Sequence, residues 1–157
     1  MKIEESCLAR RRFLGAMLGG GAAALAAGAA VPVIEYAGNL RPEPPPDFLV
    51  IAQGEYDLAP GTSKMVMYGR IPALLLKPAD APDELRVFVA TCTHLNCTVN
   101  YRAEKNRIYC ACHEGYYDTR GRVVSGPPPA PLRQFHWKYL AGKLIIALEK
   151  ENLEKAS

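Results

Sequence analysis

The chain has 157 residues, and its 19 lysine and arginine residues exceed its 16 aspartate and glutamate residues by only three. So weak a positive balance argues against nucleic-acid binding as the main role. The length suits one domain of ordinary size behind an N-terminal segment.

The N-terminal segment has the composition of an export signal or a membrane anchor. Arg10 and Arg11 begin the run R-R-R-F-L, which resembles a twin-arginine signal. The 22 residues 13–34 carry no charge and are long enough to span a bilayer. Five glycines and eight alanines make this stretch only weakly apolar, which suits the twin-arginine route. The alternative is a chance basic patch before a buried helix.

These features predict a cytosolic N-terminus over 1–12 and a membrane anchor over 13–36. The arginines fit the positive-inside rule, so the rest of the chain is expected on the outer, periplasmic side of a bacterial or archaeal cytoplasmic membrane, after a single pass. Small residues at 27–30 leave signal cleavage as the alternative to retention, and we favour retention.

A proline-rich linker is predicted over 37–47. Its sequence N-L-R-P-E-P-P-P-D favours an extended polyproline II spacer. Such a spacer is semi-rigid, and residues 37–39 are the candidate pivot between anchor and head. A passive tether is the equal alternative.

The head, residues 48–157, is predicted to be mainly β because short apolar or alternating runs are separated by glycine and proline. Ala141 and Gly142 predict a hairpin turn, 80–84 a polar loop, and the tail after Leu148 a short helix. The predicted strands are 48–52, 64–68, 73–77, 85–91, 107–110, 137–140 and 143–148.

Two short boxes hold four of the five cysteines and two of the three histidines. They read C-T-H-L-N-C over 92–97 and C-A-C-H over 110–113. A tetrahedral zinc or a 2Fe–2S cluster takes four protein ligands, so six candidates are too many for one centre. Two cysteines are left over and could bridge each other in an oxidising compartment. A structural zinc knuckle is the alternative interpretation of the boxes.

Together with the run G-P-P-P-A-P-L over 126–132, the boxes resemble the Rieske iron–sulfur proteins, and among them the subunits of cytochrome bc complexes. The resemblance implies stacked antiparallel sheets with cluster-binding loops at one end and a 2Fe–2S cofactor. It also implies that two thiolates hold one iron, two imidazoles hold the other at an exposed tip, and two further cysteines form a disulfide: Cys92 and Cys110, His94 and His113, Cys97 and Cys112.

The sequence after the second box departs from the family pattern Gly-Ser-x-Tyr-Asp. Tyr117 is retained, and the resemblance implies that its hydroxyl donates to a cluster cysteine. Gly115 stands where the family has a serine that donates to a bridging sulfide, and Glu114 adds a carboxylate. A lost donor and an added negative charge should stabilise the oxidised form, so we predict a low Rieske potential suited to menaquinol. Asn96, where glycine is common, is a second departure.

The resemblance implies the electron-transfer subunit of a quinol–cytochrome c oxidoreductase, without catalysis of its own. Quinol would bind at His94 or His113, and the head would pass the electron to a c-type cytochrome within a dimeric complex that includes a cytochrome b-type subunit. The apolar docking tip would comprise Leu95, Pro127 and Pro128.

The alternative function is the Rieske small subunit of a periplasmic molybdenum oxidase such as arsenite oxidase. A Rieske oxygenase is disfavoured because its mononuclear iron needs two further histidines, and only His136 remains. The N-terminal segment and the expected disulfide disfavour a soluble ferredoxin.

Overall fold

The computed structural model describes residues 2–39 and 43–156. The chain divides into two compact units, Met1–Glu43 and Pro44–Ser157. The first is helical and the second, the head, is built of short antiparallel strands.

The first unit is a single helix, α1, over Lys2–Asn39. Its stretch Ala9–Gly38 has a mean hydropathy of 1.8 and is long and apolar enough to cross a membrane, as a signal sequence would also be. The predicted anchor, 13–36, lies inside this helix. The predicted pivot, 37–39, is helical rather than part of an extended linker, because alanine, glycine and asparagine there continue the helix and no proline interrupts them.

The linker is described only from residue 43, and the predicted positions 40–42 lie outside the described residues. Residues 43–46 form no helix or strand. The buried Tyr68 places its hydroxyl within hydrogen-bonding distance of the carbonyl oxygens of Pro46 and Asp47. The last linker residues are therefore held against the head.

The head contains three antiparallel sheets of three, three and four strands. The two sheets that we call the base sheets have the orders β1–β10–β9 and β2–β3–β4, and the third, the cluster-binding sheet, has the order β5–β6–β7–β8. The strands are β1 Leu49–Ile51, β2 Thr62–Tyr68, β3 Ile71–Lys77, β4 Arg86–Val89, β5 Asn100–Arg102, β6 Arg107–Cys110, β7 Gly115–Tyr117, β8 Val123–Ser125, β9 His136–Leu140 and β10 Lys143–Ala147.

Strand β3 lies in the middle of the stack and is buried on both faces. Its Leu74 and Leu76 pack in a core shared with Ile108 of the cluster-binding sheet. Leu75, on the opposite face, packs in a second core with Leu144 of the other base sheet. Successive side chains of a strand point to opposite faces, so a continuous apolar run can serve both cores. The predicted mainly β fold of stacked antiparallel sheets is confirmed.

The structure also confirms the hairpin turn and the short terminal helix. Ala141 and Gly142 both have positive φ, as a two-residue hairpin turn between β9 and β10 requires. Helix α2 spans Lys150–Lys155. Three strands of the cluster-binding sheet were not predicted, because β5, β7 and β8 have only three residues each and lack an apolar alternation.

Candidate metal centre

The first box forms a tight loop between β4 and β5. The backbone N–H of Cys92 donates to the carbonyl of Cys97 at 2.8 Å, and that of Asn96 donates to the carbonyl of Cys92 at 3.1 Å. Asn96 has a φ of 58°, a conformation that glycine adopts freely and asparagine tolerates better than most residues. This backbone requirement explains both the glycine common in the family and the asparagine found here.

The second box forms the turn between β6 and β7. Cys110 ends β6, and Gly115 begins β7 directly opposite it. Glu114 has a φ of 52°, so a residue that carries a Cβ atom occupies the left-handed region, which favours glycine. The predicted tuning residues Glu114 and Gly115 therefore shape the turn that presents His113.

A disulfide between Cys97 and Cys112 joins the two loops, with an S–S distance of 2.15 Å. The sulfurs of these two residues and of Cys110 lie within 4.8 Å of one another. Two of the three are consumed in the disulfide and cannot act as thiolate ligands. Within the head, Cys92 and Cys110 are free thiols, each only 2% exposed.

The two imidazoles meet edge to face at the same end of the head. The ring centroids of His94 and His113 are 4.8 Å apart, with an interplanar angle of 82°. His113 is exposed, whereas His94 is half-buried. The Nδ1 atom of His94 is the one buried side-chain nitrogen or oxygen among the described residues that has no hydrogen-bond partner. A buried imidazole nitrogen without a partner is costly unless it binds something, and iron would satisfy it.

The two thiols differ in their surroundings. Burial opposes ionisation of Cys92, but hydrogen bonds from the Tyr117 hydroxyl and from the backbone around His94 lower the pKa of this thiol below its ordinary value. Burial and the neighbouring Cys92 raise the pKa of Cys110. Two adjacent buried sulfurs, one of them already favoured as the thiolate, and two imidazoles are a donor set that fits a 2Fe–2S cluster.

Tyr117 supplies the hydrogen bond that the sequence predicted. Its hydroxyl lies 3.3 Å from the Sγ of Cys92. Burial and this contact raise the pKa of the Tyr117 hydroxyl, so it remains a donor. Thr93, which sequence reasoning missed, orients this hydroxyl: its backbone N–H donates to it at 3.2 Å.

The side chain of Thr93 connects the first loop to the proline run. Its hydroxyl donates to the carbonyl of Ala130 at 2.7 Å. Because the single proton of the Thr93 hydroxyl goes to Ala130 and that of the Tyr117 hydroxyl goes to Cys92, the 3.2 Å approach of the two hydroxyl oxygens adds no further hydrogen bond. In the sequence, the position of Thr93 between Cys92 and His94 was the only indication of this role.

The proline run forms a third loop that packs against the second. A Cβ atom added to Gly126, whose φ is 92°, would lie 2.8 Å from the Cα of Gly115. A Cβ atom added to Gly115 would lie 2.8 Å from the Cγ of Pro128. Residue 115 therefore has no room for the family's serine side chain in this arrangement of the third loop. The two glycines allow the backbones of the second and third loops to come into contact.

The predicted docking tip needs one correction. Leu95 is 62% exposed and Pro127 is exposed, as a docking surface requires. Pro128 is buried because its ring covers Gly115. It supports the loop instead of facing solvent.

The other candidates belong to other elements of the chain. His136 is exposed at the start of β9 in a base sheet. Arg10 and Arg11 are exposed on α1, in the other unit of the chain.

Comparison with known proteins agrees with this site. Residues 48–136 match the family described as the Rieske [2Fe-2S] domain. The chain belongs to the Rieske iron–sulfur proteins. It is of the bc-complex type, and its cofactor is a Rieske-type 2Fe–2S cluster.

Two relatives carry the match across most of the chain. The cytochrome b6-f complex iron-sulfur subunit of Chlorobaculum thiosulfatiphilum is 30% identical over 139 residues, covering 88% of this chain and 75% of its own. The subunit of the same name from Synechococcus elongatus is 26% identical over 152 residues, covering 89% and 84%. The apolar helix and this membership support a single-pass membrane anchor.

Among solved structures, the ferredoxin of carbazole 1,9a-dioxygenase from Nocardioides aromaticivorans IC177 superposes with a TM-score of 0.50 at 19% identity. The match covers 64% of this chain and 96% of the ferredoxin. At this identity the likeness concerns the fold alone.

Proposed function

We propose that the protein is the electron-transfer subunit of a quinol–cytochrome c oxidoreductase and performs no catalysis alone. The observation that carries the proposal is that the same two loops, joined by a disulfide, carry two buried thiols and a pair of imidazoles in mutual contact, one of them exposed. Cys92 and Cys110 would hold one iron, and His94 and His113 the other. When bound, such a cluster supplies a one-electron acceptor whose potential is raised by its neutral imidazole ligands.

The chain's own residues would bind quinol at the tip. His113 is exposed and His94 is half-buried, so each could offer an imidazole nitrogen to a quinol hydroxyl and take up its proton. Leu95 and Pro127 are exposed beside them and would pack against an apolar ring. The disulfide between Cys97 and Cys112 would keep the two loops from separating as the head docks and leaves.

Menaquinol is the quinol that we favour. Gly115 supplies no hydroxyl, and the exposed Glu114 places a carboxylate beside His113. Fewer donors and more negative charge near the cluster favour its oxidised form. A low-potential acceptor suits a low-potential quinol.

The arrangement in the membrane follows from the N-terminal segment. Arg10 and Arg11 precede the apolar stretch, so the head would lie on the outer side of a bacterial or archaeal cytoplasmic membrane. There the electron would pass to a c-type cytochrome, and the complex would contain a cytochrome b-type subunit and be dimeric. The relatives named for cytochrome b6-f complexes support this proposal.

The test is a redox titration of the purified full-length protein, monitored by EPR spectroscopy at several pH values. We expect a reduced-state Rieske signal, a midpoint in the lower part of the range of about −150 to +300 mV, and a midpoint that falls with rising pH. A midpoint near the top of that range would refute the menaquinol assignment. Iron-free protein that binds zinc instead would overturn the electron-transfer function.

Variants of two histidines provide a matched comparison. His113→Ala should abolish the Rieske signal, whereas His136→Ala, on the exposed start of β9, should leave the signal and the midpoint unchanged. Loss of the signal in both variants would mean that His113 is not specifically a ligand.

A further inference from the structure

The outer face of the cluster-binding sheet carries cations stacked on tyrosines. Tyr109 of β6 and Tyr116 of β7 are directly opposite each other, with ring centroids 4.8 Å apart. The guanidinium of Arg102 lies 4.0 Å from the Tyr109 ring centroid, and the ammonium of Lys105 lies 5.3 Å from that of Tyr116. All four residues are exposed or half-buried, so the positive charges face solvent above an aromatic base.

This arrangement also brings like charges close together. Arg102 and Arg107 are directly opposite on β5 and β6, and like charges in such a pair destabilise a sheet. Lys105, in the 3-10 turn between the two strands, adds a third cation. Two acidic residues lie nearby: the Glu104 carboxylate is 4.0 Å from the Arg102 guanidinium, at the limit of an ion pair, and the Asp80 carboxylate accepts from the Asn106 amide at 3.0 Å.

The net charge of the head is confined to this sheet and its turns. Residues 100–125 contain five basic and three acidic side chains, whereas the rest of 47–157 contains nine of each. Of the three acids, Asp118 is already paired with Arg122 at 2.8 Å. The other two are Glu104 and the exposed Glu114.

The charged face lies next to the metal centre. Tyr109 directly precedes Cys110, and Tyr116 directly follows Gly115. Since side chains alternate along a strand, Ile108 and Tyr117 face the core while the two tyrosines face outwards. A protein that covered the tyrosines would therefore sit one residue away from a thiol that is a candidate iron ligand.

We propose that this face docks the acidic surface of a redox partner protein. The proposal rests on the electron-transfer function proposed above. Arginine and tyrosine are the residues that most often anchor protein interfaces, and an exposed positive patch accelerates association with a negative partner. The histidine tip would then remain the point of electron exchange, and the sheet face beside it would attract and hold the partner next to that tip.

The test is stopped-flow oxidation of the reduced, full-length protein by a c-type cytochrome of negative net charge. With the wild type we expect a second-order rate constant that falls as salt is added. The double variant Arg102→Glu and Lys105→Glu should react at least about ten-fold more slowly at low salt, and the difference should shrink at high salt. A c-type cytochrome of positive net charge should instead react faster with the variant.

The matched control is Lys143→Glu with Lys150→Glu, which makes the same change of net charge at exposed positions of β10 and α2. Its rate should stay within about two-fold of the wild type, since steering depends on where the charge lies. Equal slowing of the two double variants, or a wild-type rate independent of salt, would overturn the proposal. Should the double variant fold poorly, Lys105→Glu alone tests the same point in an exposed turn.

Two readouts separate this proposal from the function on which it rests. The Rieske EPR signal of each variant should match that of the wild type, and the midpoint of each variant is measured so that a changed driving force is not mistaken for changed docking. An intact signal with no loss of rate in the charge-reversal variant would overturn the docking face alone. Absence of the signal from the wild type would overturn the electron-transfer function itself.

Discussion

The base sheets and the cluster-binding sheet of the head hold their strands together by different means. In the base, strands of up to seven residues bury aliphatic side chains such as Leu75 and Leu144, neither of which has exposed surface. At the cluster end, the strands have three or four residues, and a disulfide, close glycine contacts and hydrogen bonds position the loops. The stability gained from buried apolar area depends little on the exact shape of each side chain, whereas binding of a metal cluster depends on the exact positions of its ligands.

The largest effect on stability is expected in the base. Leu75→Ala should reduce the free energy of unfolding by about 2–5 kcal/mol, since the side chain is fully buried in the core between the base sheets. The midpoint potential should not change. Urea unfolding and the EPR titration measure the two effects, and Leu140→Ala, at a residue 41% exposed, is the control. A shift of the potential by Leu75→Ala would show that the two regions are not separable.

Removal of the disulfide should affect the cluster end selectively. Replacing Cys97 and Cys112 by serine opens a loop of 15 residues, and we expect a loss of about 3 kcal/mol together with faster loss of iron. Iron content over time and urea unfolding test this expectation. Cys7→Ser, which removes a sulfur outside the head, should change neither quantity.

The contact between the second and third loops can be isolated with two glycines of similar conformation. Gly126 has a φ of 92° and Gly54 a φ of 91°, but only at Gly126 would an added Cβ meet a neighbour, the Cα of Gly115 at 2.8 Å. Gly54→Ala should cost about 1 kcal/mol, from the backbone alone. Gly126→Ala should cost about 2–3 kcal/mol and broaden the EPR signal, because the loop must also move. Equal costs would mean that the close contact contributes nothing.

The hydrogen bond from Tyr117 should matter more for the potential than for stability. Tyr117→Phe removes the donor 3.3 Å from Cys92, which stabilises the more negative, reduced state. We expect a midpoint lower by about 20–60 mV, since a hydrogen bond of about 0.5–1.5 kcal/mol is lost from one redox state. Tyr116→Phe, at the neighbouring outward position, should leave the midpoint in place.

The smallest effect concerns the turn after β7 and depends on pH. Burial opposes ionisation of Asp118, but N–H groups of Arg122 and Arg120 donate to its carboxylate and hold its pKa below the ordinary value. A carboxylate whose pKa is lowered by folding stabilises the folded state at pH values above its unfolded pKa of about 3.9. This contribution is lost as the pH falls through the lower pKa of the folded state. Asp118→Asn should therefore destabilise by about 1 kcal/mol at pH 7 and flatten the decline of stability below about pH 5.

Urea unfolding measured from about pH 3 to about pH 7, in steps of about one pH unit, checks the expectation for Asp118. Asp83→Asn is the control, because that exposed carboxylate makes no hydrogen bond or ion pair in the described part of the chain. An unchanged pH profile in Asp118→Asn would contradict the assigned role.

The regular parts of the fold could be read from local patterns. The strand over Arg107–Cys110 and the turn at Ala141 and Gly142 were predicted because apolar spacing and positive-φ residues are local properties. The ends of α1 were predicted less well, since the helix continues to Asn39 past Pro32 and Gly38, residue types that usually mark the end of a helix. The three-residue strands of the cluster-binding sheet exist only through their pairing with β6 and its neighbours, which a sequence window cannot contain.

The amino-acid sequence by itself determined the chemistry of this protein, because ligand types and spacings are written locally in its two cysteine–histidine boxes and proline run. Only the tertiary structure decided the contacts that join those segments: Thr93 with Tyr117 and Ala130, Gly126 against Gly115, and the cations above Tyr109 and Tyr116. These contacts join residues far apart in the chain or depend on strand register. The stacking of the sheets sets these contacts, and a pattern of neighbouring residues in the sequence does not specify that stacking.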